Sequence, residues 1–137
     1  MVQFYDSVQV FGMQSSNKEI FESVVNQSFD TICKGVKMTI FTYGQTSSGK
    51  THTMKGSETD EGLIPRVLRK LFQTEDKLKR MIAVKMSYYE VYNETINDLL
   101  DSSKQNLDVR EDKELGVFIK DITQVEVSSA NAAMDQL

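Results

Sequence analysis

Apolar residues recur along much of the chain at the spacing that places them on one face of a helix. The first such stretch follows Ser16, which has capping-box spacing to Glu19, and it ends near Gly35. A second begins at Pro65, a residue suited to a first helical turn, and a third follows the serines at 128–129. The apolar positions are Ile20, Phe21, Val24, Val25, Phe29 and Ile32; then Ile64, Val67, Leu68, Leu71 and Phe72; then Ala130, Ala133, Met134 and Leu137.

Segments rich in β-branched and aromatic residues lie between these helices and predict strands. They cover residues 4–11, 39–43 and 81–92, with a further pair at 107–110 and 117–123 around a turn at 112–116. A short helical turn is predicted over 95–100. This alternation of helices and strands predicts an α/β fold.

The segment after the 39–43 strand carries the most specific chemistry of the chain. It matches G-x-x-x-x-G-K-[ST], the P-loop pattern. Backbone N–H groups of such a loop converge on phosphate oxygens, the lysine reaches the β and γ phosphates, and the threonine hydroxyl ligates Mg²⁺. The strand before the loop and the helix after it argue against a chance match in a Gly/Ser-rich loop. The predicted nucleoside triphosphate site comprises Gly44, Gln45, Thr46, Ser47, Ser48, Gly49, Lys50 and Thr51.

Composition and charge narrow the class of protein further. A chain of 137 residues has room for one domain, and its lone Cys33 excludes an internal disulfide and fits a reducing compartment. No apolar run reaches membrane-spanning length and the start lacks a signal-peptide pattern, so no membrane partner is expected. The net charge of −4 argues against a nucleic-acid partner, since phosphate backbones require clustered cations.

Hydrolysis of a triphosphate needs more than the P-loop, and the rest of the machinery is not evident. Glu90 and Asp121 follow strand-like segments and are candidates for a second carboxylate that orients Mg²⁺. Neither ends a clean apolar run, so solvated strand-end carboxylates are the favoured interpretation. No residue stands out to position the attacking water.

Three motifs in order give the chain a resemblance to kinesin motor domains. The P-loop region 43–54 reads YGQTSSGKTHTM, residues 62–66 read GLIPR, and residues 87–100 read SYYEVYNETINDLL. The last segment is similar to the family pattern S-[YF]-x-E-[IV]-Y-N-E-x-I-x-D-L-L. The resemblance covers nearly the whole chain and looks closest to conventional and centromere-associated kinesins.

The resemblance implies a microtubule motor that couples ATP hydrolysis to movement, located in the cytoplasm on the cytoskeleton. Its ligands would be ATP and Mg²⁺, its partner tubulin, and its fold a P-loop NTPase-like core with a central, mostly parallel or mixed sheet and helices on both faces. By motif, residues 44–51 hold the phosphates, Lys50 acts as the catalytic cation at the γ-phosphate, and Thr51 ligates Mg²⁺. His52 would stack on the adenine, the alternative being an exposed position in the first helical turn.

The resemblance also gives expectations for residues outside the P-loop. Tyr88, Tyr89 and Tyr92 are expected to pack in the core and on the sheet face. The segment 107–123 resembles a hairpin that touches tubulin, although its mixture of Arg, Lys, Asp and Glu favours a solvated mixed-charge face.

Departures from the family pattern indicate a partial motor domain over residues 1–137. The family's F-D-x-V-F has an apparent two-residue insertion between Asp6 and Val10. Several segments of the family have no counterpart here: the adenine-bordering R-x-R-P segment, both switch segments, the main microtubule-binding helix and the neck linker. The last helical pattern of apolar residues continues up to Leu137. The expectation is therefore a chain truncated at both ends.

Two alternatives to a motor segment remain open on the sequence. One is a non-motor binding module that keeps the kinesin fold. The other is a small P-loop phosphotransferase, which would need arginines gathered near a substrate pocket. The arginines here, Arg66, Arg69, Arg80 and Arg110, are scattered along the chain.

The isolated 137-residue chain should not hydrolyse ATP at a useful rate. Phosphoryl transfer requires stabilisation of the γ-phosphate from several sides, and the P-loop supplies one side. The measurement is microtubule-stimulated phosphate release by residues 1–137 alone. Clear stimulation that is lost in Lys50→Ala would contradict this expectation.

Overall fold

The computed structural model describes residues 9–78, 83–114 and 116–137. The described residues up to Lys70 form one compact unit and those from Leu71 onward form a second. The strand predicted over 4–11 lies mostly outside the described residues, and residues 9–11 are not in a strand.

The first helical segment starts at the capping box that the sequence predicts. The Ser16 hydroxyl accepts from the Glu19 N–H at 3.3 Å, and the Glu19 carboxylate accepts from the Ser16 N–H at 3.0 Å. The chain leaves the helix through Gly35, whose φ of +86° suits glycine. Between these ends lie helix α1 Asn17–Ile20, a π-helical turn Phe21–Val25, a 3-10 turn Asn26–Ser28 and helix α2 Phe29–Cys33.

The π-helical turn changes which side chains of this segment face inward. Phe21, Val25 and Phe29 are each at most 6% exposed, whereas Val24, predicted on the same stripe, is 48% exposed. A wider turn keeps residues four apart on one face, because each turn contains more residues than in an α-helix. The predicted apolar stripe is therefore confirmed for Phe21, Val25 and Phe29 but not for Val24.

The buried centre of the first unit joins this helix to the residues on both sides of the P-loop. Phe21, Val25 and Leu63 form the buried cluster. The half-buried side chains packed against it are Ile20, Met38, Ile40, Met54 and Val67. Met38 and Ile40 precede the P-loop and Met54 follows it, so one apolar cluster holds both flanks of the loop.

The strand predicted over 39–43 is wrong in one respect, because this segment belongs to no β-ladder among the described residues. Its side chains still alternate as in a strand: Met38, Ile40 and Thr42 are half-buried, while Thr39 and Phe41 are exposed. A ladder requires a hydrogen-bonded neighbour, and the described part of this unit contains no other strand.

Two helices follow the P-loop in the first unit, as predicted. Helix α3 is Lys50–Met54, and helix α4, which runs on into the second unit, is Leu63–Leu78 with Pro65 in its first turn. The loop between them closes through a bridge from Gly56 to Glu61. A Cβ at Gly56 would collide with the backbone nitrogen of Gly62, and one at Gly62 would lie 2.5 Å from the Met54 carbonyl oxygen. This contact explains why glycines stand at both positions.

The second unit is built from short antiparallel strand pairs. The strands are β1 Val84–Met86, β2 Tyr89–Tyr92, β3 Thr95–Asp98, β4 Val109–Asp112, β5 Gly116–Ile119 and β6 Val125–Val127. Strand β1 pairs with β6, β2 with β3, and β4 with β5, and no parallel ladder occurs among the described strands. Helix α5, Ala130–Met134, packs on β6, and Ser129 caps it by accepting from the Ala132 N–H at 3.1 Å.

Two sequence predictions fail in this unit. The single strand predicted over 81–92 is divided, because β1 and β2 pair with different partners, and residues 81–82 lie outside the described residues. The helical turn predicted over 95–100 is instead strand β3, which forms a hairpin with β2. Asn93 and Glu94 have φ of +49° and +62°, the left-handed pair of a type I′ turn. The predicted pair at 107–123 is confirmed as β4 and β5.

A buried carboxylate at the end of β3 joins the turn after this strand to the segment before β6. Asp98 is 2% exposed and accepts hydrogen bonds from the N–H groups of Thr123 at 2.7 Å, Leu100 at 2.8 Å and Asp101 at 3.1 Å. The Lys104 ammonium donates to the Thr123 hydroxyl at 3.0 Å. Burial alone would raise the pKa of the Asp98 carboxyl, but the hydrogen bonds from Thr123, Leu100 and Asp101 hold the pKa below its usual value of 3.8.

Asp98→Asn should lower the free energy of unfolding at pH 7 by about 1–3 kcal/mol, because an amide N–H₂ would face one of the backbone donors. The depressed pKa gives the sign of the pH dependence. The carboxylate's contribution is fully present above pH 3.8 and is lost as the pH falls through the folded-state pKa. The difference between wild type and variant should therefore shrink in acid.

Urea unfolding of the intact protein at several pH values measures this effect. Asp108→Asn is the matched control, since Asp108 is exposed and pairs with Arg110 at 2.7 Å on the surface. A pH-independent deficit in Asp98→Asn, or an equal loss in Asp108→Asn, would contradict the assignment.

Candidate nucleotide-binding site

The P-loop backbone adopts a conformation that only some residues reach without strain. Gly49 has φ of +91° and Ser47 φ of +64°, both in the left-handed region. The Ser48 N–H donates to the Gln45 carbonyl at 3.2 Å, and the Thr53 N–H donates to the Gly49 carbonyl at 2.9 Å as α3 begins. A Cβ at Gly44 would collide with the Ser48 side chain. Both motif glycines therefore have a steric or conformational reason.

Lys50 lies over the loop that it is predicted to serve. Its ammonium donates to the carbonyl oxygens of Gly44 at 2.8 Å and Gln45 at 2.6 Å. A lysine ammonium has three donors. Among the described residues these are its two hydrogen-bond partners, so one donor remains for an anion at the loop.

A cavity of about 490 Å³ opens beside this lysine. The residues that line it are Thr46, Ser47, Gly49, Lys50, Thr51 and His52. The structure thus brings six of the nine predicted ligand-binding residues to one cavity. Two others, Gly44 and Gln45, accept hydrogen bonds from the Lys50 ammonium. Phosphate oxygens bind to cations, hydroxyl groups and backbone N–H groups. Residues that carry such groups surround this cavity.

One residue at the cavity has the chemistry expected of a magnesium ligand. Thr51 carries a hydroxyl group, is exposed and lines the same cavity as Lys50. Magnesium in such sites takes few protein ligands and completes its shell with phosphate oxygens and water. Within the described ranges, no cluster of three or more His, Cys, Asp or Glu residues is arranged to hold a metal ion.

A buried asparagine that sequence reasoning missed supports the helix after the P-loop. Asn17, 2% exposed, donates from its side-chain amide to the His52 carbonyl at 2.9 Å and to the Asp60 carbonyl at 3.4 Å. Its backbone N–H donates to the Asp60 carboxylate at 2.9 Å. In the sequence, Asn17 is visible only as a polar residue between a helix cap and an apolar stripe. Its hydrogen-bond partners lie 35 and 43 positions away in the chain.

Acidic residues in the loop after α3 are held by arginines of α4. The Asp60 carboxylate faces the Arg66 guanidinium at 3.7 Å, and Arg66 Nε donates to the Glu61 carbonyl at 2.9 Å. Glu61 pairs with Arg69 at 2.8 Å. Two arginines that would have been candidates for a phosphotransferase lid are thus engaged with their own loop.

The other sequence candidates occupy the second unit. Glu90 is exposed and accepts from the Asn97 amide at 3.1 Å, and exposed Asp121 faces Lys120 at 3.8 Å. Both match the favoured interpretation of solvated carboxylates. The tyrosines were expected to pack in the core and on the sheet face. Tyr89 and Tyr92 lie on strand β2, but they are 47% and 68% exposed, so core packing is wrong for both, whereas Tyr88 is half-buried.

The hairpin β4–β5 presents the predicted mixed-charge face. Arg110 pairs with Asp108 at 2.7 Å, and both side chains are more than half exposed. Val109 and Val117 are also exposed, at 56% and 71%. A contact of this hairpin with tubulin stays a prediction.

Among the described residues, no helix combines the length and the apolar composition needed to cross a bilayer.

Comparison with known proteins places these features in a family. A model of the kinesin motor domain matches residues 3–137. The kinesin heavy chain of Syncephalastrum racemosum is 38% identical over 129 residues, which is 90% of this chain and 14% of that protein. Kinesin-related protein 7 of Dictyostelium discoideum is 36% identical over 136 residues, 94% of this chain and 11% of that protein.

The fold comparison agrees with the sequence comparison. The solved structure of a fast kinesin superposes with a TM-score of 0.84 at 34% identity, over 93% of this chain and 39% of that one. The α/β class and the kinesin-type core predicted from the sequence are confirmed by this likeness, with antiparallel pairing in the described ladders. The chain thus spans a small part of the curated relatives' length and about two-fifths of the solved one. Because the family model matches from residue 3 to residue 137, the chain belongs to the kinesin motor domain family.

Proposed function

We propose that this chain is the ATP-binding segment of a microtubule motor that couples ATP hydrolysis to movement along microtubules. The single observation that carries the proposal is the P-loop geometry, in which left-handed Gly49 and the Lys50 ammonium face a cavity of about 490 Å³. The kinesin heavy chain relatives support the motor, and the fast-kinesin structure is described by its ATPase mechanism and its interactions with microtubules.

Each residue of the loop has a role that follows from its chemistry. Residues 44–51 cradle the phosphates through backbone N–H groups, and Lys50 offsets the charge of the γ-phosphate with its remaining donor. Thr51 ligates Mg²⁺, which when bound neutralises phosphate charge and orients the phosphate chain. His52, which is exposed and lines the cavity, would stack on the adenine.

The proposed partner of the whole protein is the microtubule, and its proposed location is the cytoplasm and its cytoskeleton. Membership of the kinesin motor domain family supports both. Two relatives from Arabidopsis thaliana carry names that place those proteins in the chloroplast and the mitochondrion. Nucleotide-dependent co-sedimentation of the intact protein with taxol-stabilised microtubules tests the partner, and recovery in the supernatant under every nucleotide condition would overturn it.

Lys50→Ala in the intact protein should weaken Mg·ATP binding by about 100-fold, because a charge-assisted hydrogen bond to phosphate is lost. Isothermal titration calorimetry measures the change. Lys37→Ala is the control, since Lys37 is an exposed lysine of the same unit that does not line the cavity. Equal ATP affinity in wild type and Lys50→Ala would refute the site.

Thr51→Ala should reduce affinity for ATP in the presence of Mg²⁺ more than in the presence of EDTA, because the hydroxyl serves the metal rather than the nucleotide. We expect a loss of about tenfold with Mg²⁺ and less than about twofold without it. Thr31→Ala, at an exposed position of α2, is the matched control. The same fractional loss in both conditions would remove Thr51 from the metal site.

A further inference from the structure

The end of helix α3 leaves a carbonyl group that the helix itself does not satisfy. The N–H groups of Lys55 and Gly56 both donate to the Thr51 carbonyl, at 2.8 Å and 3.4 Å. The His52 carbonyl, one residue further on, therefore lacks the donor that a continuing helix would give it, as helix C-termini generally do. Gly56, with φ of +86°, turns the chain away at this point.

Asn17 supplies the missing donor from a distant part of the sequence. Its amide lies 2.9 Å from the His52 carbonyl oxygen and 3.4 Å from that of Asp60, and its own N–H donates to the Asp60 carboxylate. The residue is 2% exposed. The buried side-chain amide has two carbonyl partners, and rotation of the amide would leave these carbonyls unpaired in a dry site.

The phosphate end of the cavity is held in a different way. The Lys50 ammonium donates to the carbonyl oxygens of Gly44 and Gln45, whereas the hydrogen bonds of Asn17 go to His52 and Asp60. The His52 carbonyl accepts a hydrogen bond from Asn17, and His52 lines the same cavity as Lys50. The Lys50 ammonium and the His52 carbonyl, both in helix α3, thus have separate hydrogen-bond partners.

From this separation we infer that Asn17 is a positioning residue for nucleoside recognition: it fixes His52 at the cavity wall and so sets affinity for the base rather than for the phosphates. The inference rests on the proposed nucleotide site. It assigns to the N-terminal end of α1 a function in selecting the ligand, beyond packing and capping.

The test compares ADP with inorganic pyrophosphate, which carries the same diphosphate without the nucleoside. Both are titrated with Mg²⁺ into the intact protein by calorimetry. Asn17→Asp keeps the size of the side chain and replaces the amide donor with an oxygen that repels the His52 and Asp60 carbonyls. We expect ADP affinity to fall about tenfold and pyrophosphate affinity to change by less than about twofold.

Asn26, in the same helical segment as Asn17, is the matched control. Asn26 donates to the Glu22 carboxylate at 2.6 Å and accepts from Lys70, and it does not line the cavity. Asn26→Asp should leave both affinities unchanged. Equal weakening of ADP and pyrophosphate in Asn17→Asp would show a general loss of structure and overturn the inference.

A double-mutant cycle with His52→Ala tests the route of the effect. That substitution removes the ring and keeps the carbonyl, so Asn17→Asp should have no further effect on ADP affinity in the His52→Ala background. Additive losses would overturn the inference. If Asn17→Asp does not fold, Asn17→Ser, which keeps one hydroxyl donor, is measured by the same ADP-to-pyrophosphate ratio. Absence of ADP binding by the wild type would instead refute the proposed function itself.

Discussion

The apolar contact between the first helical segment and the two flanks of the P-loop is the constraint on which the first unit depends. Phe21 and Val25 bury themselves against Leu63, with Met38, Ile40 and Met54 around them. Burying a side chain of this size contributes about 1.5–3 kcal/mol. The loop itself is exposed from Gly44 to Gly49, so its conformation is set by residues before and after it.

Buried polar residues form the hydrogen bonds that apolar contacts cannot supply. In the first unit Asn17 satisfies a carbonyl at a helix end, and in the second Asp98 collects N–H groups from a turn and from the segment before β6. Each is 2% exposed and no buried side-chain N or O in the described residues lacks a partner. Such residues join segments distant in sequence, because an unpaired buried group would cost about 1–3 kcal/mol.

Local sequence signals predicted the features whose causes are local. The capping box at Ser16, the stop at Gly35 and Pro65 in a first helical turn are confirmed because each depends on a few adjacent residues. The β2–β3 hairpin was missed because its type I′ turn uses Asn93-Glu94 where Asn-Gly is the recognisable signal. The break between β1 and β2 depends on strand partners, and sequence alternation alone does not contain that information.

The candidate site likewise has a part that local sequence predicts and a part that depends on distant residues. The proposed phosphate site could be predicted because residues 44–51 carry its donors within one short segment, and Gly49 and Lys50 line a cavity at that segment. The support of His52 was not readable, since Asn17 stands 35 positions away and resembles any polar residue beside a helix cap. A P-loop motif therefore specifies the chemistry of phosphate binding by itself. The hydrogen bond at the His52 carbonyl is instead a tertiary property, because its donor Asn17 comes from a different helix from the five-residue helix that contains His52.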